Sequence, residues 1–229
     1  NMDPALISLI AACTAFVGMH FVLSHPLRAG LIRRLGENGF MGVYSLVAFA
    51  TLGWAIAAFA AVGPQAMPLW DGGSAGLWII ASLVTFVALA LLLGSLHGNP
   101  ALPQTPADKV GNAAASGVFA ITRHPMMWGI ALWALAHMLV APKPRTLILM
   151  AAMIVLALVG SHLQDRKKAV LLGDVWQQWE SRTSFWPRLS GLGGLHPLLW
   201  LVTVLAWLAA TWAHMPLAYI TAGVWRWMG

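Results

Sequence analysis

Two histidines stand inside long apolar runs of this chain, His20 after Phe16-Val17-Gly18-Met19 and His137 after Ala134-Leu135-Ala136. A neutral imidazole in apolar surroundings still needs partners for both ring nitrogens. One set of partners is a hydroxyl or backbone carbonyl on another helix. The other is a metal or haem iron inside the bundle, a common use of histidines on facing helices. On helical spacing, Trp133, Ile130 and Met126 share the face of His137, while Phe16, Val17 and Cys13 share that of His20. Phe16 and Trp133 are therefore candidate walls of a pocket for a flat, greasy macrocycle. Counted from Arg28 and Arg123, at about 1.5 Å per residue, His20 lies roughly 12 Å deep and His137 roughly 21 Å deep. Helix tilt or a kink has to absorb that offset if both are to meet one iron.

A second constellation is Arg123-His124-Pro125, at the mouth of another apolar run. Pro125 suits a first helical turn, where its missing N–H costs nothing. The Arg–His pair suits an anionic group, either a bound ligand or a lipid phosphate reached by snorkelling. Asp165 and Arg166, with His162 nearby, follow a further apolar run and are expected on the same side of the membrane, as a surface ion pair or as the rest of a polar cluster. His25, His97, His196 and His214 fall near the ends of apolar runs and read as polar helix ends.

The elements that carry these residues are membrane spans. Of 229 residues 59% are hydrophobic and 9% charged, against roughly 25% charged in soluble domains. Apolar runs cover Ala5 to Phe21, Val43 to Val62, Leu77 to Leu96, Met126 to Val140, Leu147 to Val159 and Leu198 to Trp212. The expected fold is an all-α, polytopic transmembrane helical bundle of about six spans forming one domain over residues 1–229. The first run is read as a retained span. Alternate crossing gathers Arg28, Arg33, Arg34, Lys109, Arg123, Arg166, Lys167, Lys168, Arg182 and Arg188 on one side, and Lys143, Arg145 and Arg226 on the other. That asymmetry predicts the basic side to be cytoplasmic, with both termini on the opposite side. The net charge of +6 is juxtamembrane and scattered, which points to anionic lipid headgroups rather than nucleic acid. A single cysteine, Cys13, excludes an intrachain disulfide and a Cys-rich metal site.

Between the spans, Pro26 to Gly39 predicts a short amphipathic interfacial helix, and Asp165 to Arg188, with aromatic residues interleaved among charges, a helix lying on the inner membrane surface. The loop Gly63 to Gly76 is glycine- and proline-rich and is expected to be irregular, capping the bundle.

The run Ile121-Thr122-Arg123-His124-Pro125-Met126-Met127-Trp128-Gly129, then Leu132 to His137, Asp165-Arg166-Lys167, Leu172-Gly173, Trp176 and Thr183-Ser184, resembles the NnrU family. His20 followed by Arg28, Leu35-Gly36-Glu37, Phe40 and Tyr44-Ser45 resembles the family's amino-terminal pattern, so that the likeness extends from Met19 to Pro187. The family includes the 15-cis-zeta-carotene isomerases. The resemblance implies an inner-membrane protein with one haem b, whose axial ligands correspond to His20 and His137. It implies a redox-sensitive cis–trans isomerase acting on a polyene or related lipophilic substrate from the lipid. With a haem so placed, Arg123 and His124 are expected to pair with its propionates, and His162 and Asp165 to lie near the cofactor. Other members are associated with nitrite and nitric oxide respiration, which implies instead an accessory to a respiratory complex. Arg123-His124-Pro125 ahead of a charged helix is also similar to the isoprenylcysteine-type membrane methyltransferases, implying S-adenosylmethionine as a third alternative.

Overall fold

The computed structural model describes residues 3–63 and 67–228. Among them every regular element is helical. In chain order they are α1 (Pro4–Ser24), α2 (Arg28–Val62), α3 (Ala75–Gly94), the short α4 (Ala107–Gly111) and α5 (Val118–Ile121), α6 (Pro125–Val140), α7 (Pro144–Leu172), α8 (Asp174–Arg182) and α9 (Pro197–Ala218). Two 3-10 turns cover Leu189–Gly194 and Gly223–Trp227. Helices α1, α2, α3, α7 and α9 are long and apolar enough to cross a membrane, and α6 is a shorter apolar helix. The chain is a multi-pass membrane protein. Six apolar helices thus correspond to the six apolar runs.

The helix ends are written locally. The Asp3 carboxylate accepts from the Ala5 N–H at 2.9 Å, with Pro4 in the first turn. Ser74 accepts from Leu77 at the start of α3, and His196 Nδ1 from Leu198 at the start of α9, beside Pro197. These caps satisfy donors that a helix start leaves orphaned.

Two expectations change in detail. The amphipathic stretch after Pro26 forms the opening turns of α2, which bends at Gly36 (φ 71, ψ 173) before entering its apolar length. Only glycine adopts that backbone freely. The stretch from Asp165 is not one surface helix: residues 165–172 continue α7, and Gly173, with φ 52, breaks the chain before α8. Trp176 and Trp179 on α8 are fully buried, so this helix packs into protein instead of floating on lipid.

The chain forms two compact units. The first comprises Asn1–Gly72 and His137–Leu156, the second Gly73–Ala136 and Ala157–Gly229. In the first, α1 and α2 form a hairpin. Leu9, Ala12, Cys13, Ala55 and Ala58 pack there with Ile148, Leu149 and Ala152 from the start of α7. The loop after α2 docks on the far end of α6: Leu69 N–H donates to Pro142 O at 2.8 Å and the Trp70 indole to Leu139 O at 3.0 Å. In the second unit α3 packs on α9, and α4 on α8. Gly129 lets α6 approach α3 so closely that a Cβ there would lie 2.7 Å from Ala88 O.

Candidate functional site

The densest polar arrangement lies in the second unit. Thr122, Arg123 and His124 form an extended link between α5 and α6, held against the stretch after α8. Arg123 N–H donates to Ser184 O at 2.7 Å and Arg188 N–H to Ile121 O at 2.9 Å. The Thr122 hydroxyl and the Trp128 indole both donate to Phe185 O, at 2.7 and 2.8 Å. This backbone clamp sets the direction of the Arg123 and His124 side chains.

From it Arg123 reaches two carboxylates, Asp165 at 2.7 Å and Glu180 at 3.2 Å. The Arg123 Nε–H adds a second bond to the same Asp165 oxygen at 2.8 Å. The other oxygen of Asp165 lies 2.6 Å from His124 Nε2. The Arg123, His124 and Asp165 side chains are 13%, 2% and 7% exposed. The Phe185 ring covers the group, 5.6 Å from the His124 ring and 5.7 Å from the Arg123 guanidinium. A buried cation is tolerable only when paired and hydrogen-bonded, and here the protein supplies both carboxylates itself. Arg123 and His124 are thus committed internally. The expected neighbour His162 is exposed on α7 and has no part in the pairing.

His20 has a different setting, in the first unit. Its Nδ1 lies 2.7 Å from Phe16 O, one turn back on α1. A carbonyl oxygen only accepts, so Nδ1 carries the proton, and in the neutral ring Nε2 keeps its lone pair. Phe16 stands edge-on to the imidazole at 4.5 Å and Tyr44 of α2 at 5.4 Å. Tyr44 leans on Phe40 at 6.0 Å, and the Arg28 guanidinium lies over Phe40 at 5.6 Å. Phe16 is therefore the neighbour that helical spacing predicts, whereas Trp133 is 39% exposed on α6. His25 and His214 use the same carbonyl four residues back, at 3.2 and 2.8 Å. What distinguishes His20 is its aromatic flanks.

His137 sits three residues before the end of α6, beside the stretch 139–142 that receives loop 67–72 and leads into α7. Among the described residues no group of three or more His, Cys, Asp or Glu side chains is placed to hold a metal ion.

A family model described as NnrU protein matches residues 8–222. The chain belongs to the NnrU family. No curated protein and no solved structure matches it. In this NnrU chain the family-like motif around Arg123 builds the clamped ion network, and the amino-terminal pattern builds the niche of His20. Sequence reasoning did not single out Glu180 or Tyr44 as partners. The signal for Glu180 was available: Trp176 and Trp179, three residues apart, mark a buried face of α8, and Glu180 adjoins it. An open cavity of about 340 Å³, lined by Gly94, Gly98, Ser116, Phe119, His196 and Leu199 among others, contains none of the residues selected from sequence.

Proposed function

We propose that this NnrU protein is a haem b protein of the cytoplasmic membrane, with His20 and His137 as axial ligands, acting as a redox-sensitive cis–trans isomerase of a polyene or related lipophilic substrate. The observation that carries this reading is the His20 niche. Its imidazole has Nδ1–H tied to a backbone carbonyl, which fixes the tautomer and raises the basicity of the other nitrogen, the usual arrangement behind a metal-bound histidine. Nε2 is left as a bare donor among aromatic edges that suit the face of a macrocycle.

Within the niche, Phe16 contributes twice, through its carbonyl and through its ring. Tyr44 stands against the imidazole from α2, so that both helices of the hairpin bring an aromatic ring to it. Such rings favour a lipophilic substrate over water. A haem iron bound there would supply a redox-variable Lewis acid able to polarise a double bond.

The test is the absorption spectrum of the detergent-purified protein before and after dithionite, with His20→Ala and His137→Ala alongside. The reading expects a Soret band with low-spin ferrous features that is lost or altered in both variants. A band that disappears in His20→Ala but persists unchanged in His137→Ala would mean that His20 ligates without His137. No Soret band in protein made by haem-replete cells would overturn the proposal.

A further inference from the structure

The open cavity of about 340 Å³ in the second unit has a definite chemistry of its own. It forms where two apolar helices end. Gly94 is the last residue of α3, and Leu199 stands in the first turn of α9, just after the N-cap His196. Both helices are long and apolar enough to cross a membrane, so the cavity lies at the level where acyl chains give way to polar surroundings.

Part of the lining is apolar and fixed. Val118, Phe119 and Leu195 are buried, and Phe119 is braced edge-on by the buried Trp179 at 5.9 Å. Another part supplies hydrogen-bond donors. The backbone N–H groups of Ala114, Ser116 and Gly117, and the Ser116 hydroxyl, meet no acceptor among the described residues. His196 Nδ1 accepts from the Leu198 N–H at 3.1 Å. A backbone N–H only donates, so this nitrogen is unprotonated and the neutral ring carries its proton on Nε2, which makes a further donor. No Lys, Arg, Asp or Glu is among the described residues of the lining.

This combination selects a ligand class. Donors beside a fixed apolar floor suit an acceptor atom on a lipophilic body. A carboxylate or phosphate would leave water without a counter-charge, which is costly, whereas a carbonyl oxygen carries no such penalty. The volume is at the low end of small-ligand pockets, about 300–1,000 Å³, and holds a head group but not a long chain. We infer that this cavity binds the carbonyl-bearing head of a neutral lipophile, a quinone or a glyceride ester, whose tail stays in the bilayer. The site stands without the haem reading, because His20 belongs to the first unit.

The experiment is photolabelling of the full-length protein in detergent with a decyl-tailed azidobenzoquinone, followed by mass spectrometry of its peptides. Label should fall within residues 113–119 or 195–199. An excess of decyl-tailed benzoquinone or of dioctanoylglycerol should displace it, and dodecane should not; displacement by one carbonyl compound alone supports the site and identifies the source of its ligand. Ala114→Phe, which places a large side chain on an exposed residue of the lining, should lose the label while keeping the size-exclusion profile of the wild type. Label confined to other segments, displacement by neither carbonyl compound, equal displacement by dodecane, or undiminished label in Ala114→Phe each overturns the inference.

Discussion

The two units treat histidine in opposite ways. In the second, His124 belongs to a closed network in which the cation, the imidazole and both carboxylates face one another, and Phe185 shuts out solvent. In the first, His20 bonds through one nitrogen, and among the described residues no group bonds to the other. A closed network has spent its hydrogen-bonding capacity on the fold. A half-satisfied ring still has capacity to give to a ligand. Charge alone therefore does not single out an open site in this chain, because its most highly charged cluster pairs its own groups.

Substitutions that part stability from binding test this contrast. Asp165→Ala should have the largest effect, about 3–5 kcal/mol, because it strands the buried Arg123 charge. Thermal unfolding in detergent reads it, and a loss below about 1 kcal/mol would mean that the network is solvated. Gly129→Val leaves every charge in place but forces a side chain onto Ala88 O; overpacking of this kind costs about 1–3 kcal/mol. By the same measurement it should fall between the two charge variants, with bound haem undiminished in the folded fraction. Glu180→Gln removes the outer, 32% exposed partner of Arg123, and should cost under about 1 kcal/mol. His20→Ala should cost no more, since the residue is only half-buried, yet abolish the Soret band. If His20→Ala instead unfolds the protein, its niche is structural and the contrast between the units fails.

Hydropathy made the architecture legible, because the six apolar runs are long and each became one helix. It also placed the short helix at Pro125, where the proline and the preceding charged pair mark an entry into apolar surroundings. It did not reveal the bend at Gly36, because a single glycine in a helical pattern reads equally well as packing. The site was legible residue by residue but not in its pairing. Arg123, His124 and Asp165 stood out as charges beside apolar runs, yet which carboxylate meets which cation across 42 positions is decided by tertiary packing, to which local periodicity is blind. Local periodicity is equally silent on how His20 and His137 stand to one another: each lies on a credible face of its own helix, and a face says nothing of the helix it meets.

Helix α6 has 16 residues against 29 in α7, roughly 24 Å against 44 Å of axial length at 1.5 Å per residue. The hydrocarbon of a bilayer is about 30 Å thick. The long helix has the length to carry Asp165 clear of the acyl chains, whereas the short one, which begins just after Arg123 and His124, spans the hydrocarbon only where the two lipid surfaces come closer together. A helix of that length favours a thin bilayer, which makes membrane thickness the variable expected to act on it.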